Sequence, residues 1–138
     1  LALDDNVRLT GFVEDVRIPV AEATVAVAPI RQGGGTRLKI LEAMALGTPV
    51  VATTKGAEGL DVVDGEHLLL ADTPQAFVSA TLALLANAET RLRLAENARR
   101  LVESTYDWTG IGHRFVGLVE NAVLERQSLS AGKDTHLG

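Results

Sequence analysis

Apolar and polar positions along this chain change period several times, and each change marks an element. The runs VRLTG (Val7–Gly11), VAVAP (Val25–Pro29), PVVAT (Pro49–Thr53) and HLLLA (His67–Ala71) are short and bounded by turn residues. The last three are almost continuously apolar, as expected of strands buried on both faces of a parallel sheet. Between them the period lengthens. Val13–Ala23 places Val13, Val16, Val20 and Ala23 near a 3.6-residue repeat, predicting a helix that Pro19 should kink or shorten. Thr36–Leu46 predicts a helix with Thr36 as its N-cap, stopped by Gly47 and Pro49. Thr73 and Pro74 stand as N-cap and first residue of the next helix. Glu89–Ser104 then continues as an amphipathic helix, with Leu94, Ala98, Leu101, Val102 and Thr105 along one face. Asp107 is placed to cap a last helix running from Trp108 to about Arg126. Residues 1–127 are expected to form one domain, and the polar end 128–138 a disordered tail.

Apolar strands alternating with helices imply right-handed βαβ crossovers. The expected class is therefore α/β, a Rossmann-like parallel sheet with flanking helices and a helical C-terminus. In such sheets ligands bind beyond the carboxyl ends of the strands. The loops 30–35 and 54–65 follow two of the strands and belong on that rim.

Composition narrows the partners. The 138 residues carry 13 Lys and Arg against 18 Asp and Glu, a net charge of -5. Such a balance argues against nucleic acid or an anionic membrane as a global partner, so any anion site must be local. No cysteine is present, which excludes disulfides and thiolate metal sites and is compatible with a cytoplasmic setting. No apolar run approaches the roughly 18 residues that suggest a membrane span.

One local exception stands out. IRQGGGTRLKILEAMALGTPVV (Ile30–Val51) holds Arg31, Arg37 and Lys39 around Gly33, Gly34 and Gly35, with no acid among them. Glycines let a backbone approach a ligand closely, and a following helix start offers free N–H groups and the positive end of a dipole. Gly33, Gly34, Gly35, Thr36, Arg37 and Lys39 thus form a candidate cradle for phosphate or diphosphate. A flexible turn with solvated charges is the alternative. The stretch is not a Walker A loop, which needs GK[ST], nor a GxGxxG dinucleotide fingerprint. Glu42 reads either as a surface carboxylate paired with Lys39 at i, i+3 or as an acceptor for sugar hydroxyls, since a ribose diol matches a carboxylate. No metal site is expected: His67, His113 and His136 are far apart and read as structural or solvated, and the acids at 4–5, 61 and 64 as surface or capping groups.

GGGTRLKILEAMALGTPVVAT, with VRLTGFVEDV and VAVAPIRQ before it and GAEGL after it, resembles the C-terminal domain of family 4 (group 1) glycosyltransferases. The similarity runs from about Val7 to about Asn121 and includes the YDW at Tyr106–Trp108. These enzymes have the GT-B architecture, in which two Rossmann-like domains face a cleft. The resemblance implies a domain that binds a nucleotide-sugar donor. Its parent would transfer a hexose-type sugar to an acceptor with retention, through protein groups, with neither a metal nor another cofactor. Of the family's E-x7-E glutamates, the second matches Glu42, a ribose ligand. The first falls on Gly34, where this chain offers no side chain. The loop bearing Lys55, Gly56, Ala57 and Glu58 matches a segment beside the donor's sugar or phosphate, with backbone N–H groups as donors.

In the family the domain opens with two further βα units, in strand order 3-2-1-4-5-6. Their lack here implies an incomplete GT-B C-terminal domain, a fragment inactive by itself. Its partners would be a nucleotide sugar and an N-terminal acceptor-binding domain of the parent chain. The parent would be cytoplasmic, or peripheral to a membrane through that other domain. Strand Val25–Pro29 would lose its inner neighbour, so pairing with Val7–Gly11, or self-association through the bare edge, is expected. Other readings are a non-catalytic nucleotide- or phosphate-binding module, half of a nucleotide-sugar epimerase, and a receiver-type signalling domain. The last requires an acidic pocket where this rim is basic.

Overall fold

The computed structural model describes residues 6–33, 35, 37–107, 111–112 and 116–121. The elements run α1 (Arg17–Glu22), β1 (Ala26–Ala28), α2 (Leu38–Ala45), β2 (Val50–Ala52), β3 (Leu69–Leu70), α3 (Pro74–Ala86) and α4 (Ala88–Leu101). A π-helical turn, Val102–Tyr106, follows α4. The chain divides into two compact units, Leu1–Arg99 and Arg100–Gly138. In the second unit residues 111–112 and 116–121 are helical. Trp108, most of the expected last helix and the tail 128–138 lie outside the described residues.

The first unit is α/β. Its sheet has three parallel strands in the order β1-β2-β3, with Ala26 beside Val50 and Val51 beside Leu69. The central strand β2 is wholly buried, which explains its continuous apolar run. Val51, Ala71, Leu84 and Leu94 form one buried cluster, closed by Val25, Leu69, Phe77 and Ala80. From α2, Ile40, Ala43 and Met44 are buried, with Met44 fully enclosed. Among the described residues no helix is long and apolar enough to cross a membrane.

Local chemistry sets the boundaries. At the end of α2 the Gly47 N–H donates to the Met44 carbonyl and the Thr48 N–H to the Ala43 carbonyl. These are the paired bonds of a Schellman motif, which absorb carbonyls the helix leaves unpaired. The Thr48 hydroxyl donates to the Val20 carbonyl at 2.8 Å and ties this turn to α1. At α3 the Thr73 hydroxyl oxygen accepts from the Ala76 N–H at 3.2 Å, and Pro74 opens the helix. Thr73→Ala is expected to cost about 1 kcal/mol, measurable by urea denaturation.

Three expectations are corrected. Val7–Gly11 forms no strand and does not pair with β1, and Leu9 is 79% exposed. Its alternation suits a strand, but an extended segment holds that shape only where a neighbour satisfies its backbone. The first helix begins at Arg17 rather than Val13. Asp15 captures the Arg17 N–H at 3.0 Å and fixes the entry there. Pro19 then falls in the first turn, where a missing N–H costs no helical bond. Finally, α2 starts at Leu38 with Arg37, not Thr36, in the N-cap position, and Arg37 makes no side-chain cap.

Candidate functional site

The carboxyl ends of β1 and β2 release the two loops that carry the candidate residues. Thr53, the residue after β2, joins them. Its buried hydroxyl donates to the Ile30 carbonyl of the first loop and accepts from the Gly56 N–H of the second at 2.9 Å. Gly56 fits because it lacks a side chain: a Cβ there would lie 2.9 Å from the Ala28 carbonyl oxygen. Thr54 ties the second loop to the end of β3. Its N–H and its hydroxyl each donate to one oxygen of Asp72, both at 2.8 Å. These two bonds, the hydroxyl's first, hold the Asp72 carboxyl below the usual carboxylate range.

Arg37 joins the loops a second time. The residue is only 6% exposed. Its Nη2 donates to Glu58 Oε2 at 3.2 Å and, at 3.5 Å, to the Gly33 carbonyl. Its Nε is buried with no hydrogen-bond partner among the described residues. Lys55 Nζ donates to the same Glu58 Oε2 at 2.5 Å. Lys55 foremost, and then Arg37, keeps the Glu58 carboxyl lowered and charged. A buried cation, a half-exposed cation and one exposed carboxylate therefore meet beside the glycine loop. Gly33 and Gly35 have φ of 116° and 102°, in the region glycine alone enters easily. Gly34 and Thr36 lie outside the described residues.

The three cations that cluster in sequence separate in space. Arg37 points inward between the loops. Arg31 is exposed and lines a concavity of about 270 Å³ with Thr53, Asp72, Pro74 and Phe77. Lys39 is exposed on α2. No ion pair joins Lys39 to Glu42 among the described residues, so the i, i+3 pairing does not form. Glu42 instead faces an open concavity of about 810 Å³ lined by Val13–Pro19. There the Asp15 carboxylate grips the Arg17 guanidinium at 2.7 and 2.8 Å, which lowers the Asp15 pKa to about 2.

Among the second loop's residues, Gly56 and Ala57 donate their N–H groups to the Thr53 hydroxyl and the Thr53 carbonyl. Those two amides are engaged within the loop, while the Glu58 and Lys55 side chains reach solvent. Sequence reasoning missed Thr53, Asp72 and the Asp15–Arg17 pair. The T-x-x-G spacing of Thr53 and Gly56 was the one available signal. His67 and Asp64 hold local backbone: His67 Nδ1 accepts from the Val63 N–H at 3.0 Å, and Asp64 Oδ1 from the Leu70 N–H at 2.8 Å.

A family model described as Glycosyl transferases group 1 matches residues 1–87. The chain is 32% identical to D-inositol 3-phosphate glycosyltransferase of Corynebacterium glutamicum over 127 residues, 91% of this chain and 29% of that protein. It is 34% identical to phosphatidyl-myo-inositol mannosyltransferase of Mycobacterium leprae over 122 residues, 86% of this chain and 32% of that one. The chain thus spans about a third of the length of these curated relatives. In three dimensions it resembles the crystallised C-terminal domain of a glycosyl transferase group 1 family protein (LpcC) from Francisella tularensis. That match has a TM-score of 0.63 at 29% identity, over 71% of this chain and 52% of the other.

Proposed function

This chain belongs to the group 1 glycosyltransferases, and from that premise we propose that it binds the nucleotide-sugar donor of an enzyme that transfers a hexose with retention and without a metal. An acceptor-binding domain elsewhere in the parent polypeptide completes the cleft and selects the acceptor.

The observation that carries this reading is the placement of Glu42. A carboxylate with no ion pair among the described residues, its charge felt by Arg17, faces a concavity walled by Val13–Pro19, one turn past the first residue of α2. An ionised carboxylate has only acceptors, and the two hydroxyls of a ribose are donors at matching spacing. In this reading the start of α2 and the loop at Gly33 and Gly35 receive the diphosphate, with the charges of Arg37 and Lys55 adding to the N–H groups there. As the sugar leaves, negative charge grows on the departing diphosphate. Donors already in place stabilise that charge without reorganising, which is electrostatic catalysis. The name of one of the two relatives, a mannosyltransferase, supports a hexose as the transferred group.

A thermal-shift panel of UDP, GDP and ADP tests the proposal: one of them should raise the melting temperature in a saturable way. Glu42→Gln should keep the fold and weaken that nucleotide about tenfold, the scale of one charge-assisted hydrogen bond. If no nucleotide shifts the melting temperature, the donor-binding reading fails.

A further inference from the structure

Glu58 has an oxygen to spare. Arg37 Nη2 and Lys55 Nζ both donate to its Oε2, while Oε1 has no hydrogen-bond partner among the described residues. The side chain is 56% exposed, so Oε1 is open to a ligand. The same Nη2 atom also reaches the Gly33 carbonyl, which places the carboxylate beside the glycine loop. Two of the loop's amides, those of Gly56 and Ala57, are consumed internally, while this carboxylate and the half-exposed Lys55 ammonium reach solvent. Arg37 is buried, and it and Lys55 both donate to one oxygen of this carboxylate.

We infer that Glu58 is a sugar-recognition residue, its free Oε1 accepting hydrogen bonds from hydroxyls of the donor's hexose. The inference rests on the nucleotide-sugar reading above and assigns the sugar's contact to a carboxylate of the second loop. Gly34, at the centre of the glycine loop, has no side chain to offer the sugar. The chemistry suits the task. A carboxylate cannot donate, so it favours a face of the ligand rich in O–H groups, and it repels a second phosphate. Lys55, on the other side of Oε2, keeps N–H donors for the diphosphate end of the same ligand.

The test compares paired probes on this chain by calorimetry: GDP with GDP-mannose, and UDP with UDP-glucose. The native chain should bind one sugar nucleotide more tightly than its parent diphosphate. Glu58→Gln, which leaves a neutral amide, should erase about tenfold of that advantage and leave diphosphate affinity within about twofold. Glu58→Asp keeps the charge and withdraws the oxygen, and should show the same selective loss. Melting curves of both variants confirm that they fold. If the native chain binds neither GDP nor UDP, the donor reading fails and this inference with it. If diphosphates bind but the sugar adds nothing, the inference alone is overturned. Equal losses of diphosphate and sugar nucleotide in both variants overturn it as well, by showing a role in loop shape or phosphate binding.

Discussion

Gly56→Ala should destabilise the chain by about 2–3 kcal/mol and lower its melting temperature by roughly 10 °C, measured by urea and thermal unfolding. One methyl group suffices because of what surrounds it. The added Cβ would lie 2.9 Å from the Ala28 carbonyl oxygen, 3.0 Å from Thr53 Oγ1 and 3.2 Å from the Thr53 carbonyl oxygen. Two of these atoms are backbone at the ends of β1 and β2, and the third is held by bonds to Ile30 and Gly56 itself. None can swing aside as an exposed side chain would, so the strain must open the junction between the loops. Nucleotide binding should fall with stability, since Lys55 flanks the displaced residue. Gly117→Ala is the control. It sits in the helical segment 116–121, where an added methyl would meet nothing within 4 Å, and should be neutral or slightly stabilising. A Gly56→Ala chain that melts with the native one would show that the junction is soft.

The same junction explains which features were legible in the sequence. β2 announced itself because burial at every position writes a local apolar run, and β1 and β3 carry similar runs although Val27 is exposed and β3 is half-buried. Gly47 and the Thr73–Pro74 pair announced helix ends because capping is settled within a few residues. Val7–Gly11 carries the same kind of pattern, yet strand identity needs a neighbour, and neighbours are not written locally. The cluster of cations was legible as composition and not as geometry. Arg31, Arg37 and Lys39 are close in sequence, but the turn into α2 sends Arg37 inward while Lys39 stays in solvent. The partner that Arg37 found, Glu58, is 21 residues away and visible only after β1 and β2 pair. Thr53 looked like one more β-branched strand residue. Its importance depends on the Ile30 carbonyl arriving from another loop.

Arg37→Met should separate function from stability, with opposite signs. Removing a cation from a fully buried ion pair strands its partner in low dielectric and costs several kcal/mol. Here the partner is Glu58, 56% exposed and still paired to Lys55, so nothing is stranded. The buried Nε, meanwhile, has no acceptor among the described residues. A buried donor without a partner costs about 1–3 kcal/mol, which the substitution would return. Methionine is flexible and apolar enough to occupy much of the vacated volume. The unfolding free energy should therefore stay level or rise by up to about 1 kcal/mol, against a lost hydrogen bond to the exposed Glu58 carboxylate. Binding should move the other way. The variant lacks the charge held beside the glycine loop, and nucleoside diphosphate affinity should drop roughly 30-fold, about 2 kcal/mol. Calorimetry and urea unfolding of one preparation read both quantities. A destabilisation beyond about 2 kcal/mol would mean that the guanidinium holds the fold. Unchanged affinity would mean that the diphosphate is bound without it. A variant that folds at least as well and binds poorly would show that this chain keeps a buried, imperfectly paired arginine for its ligand.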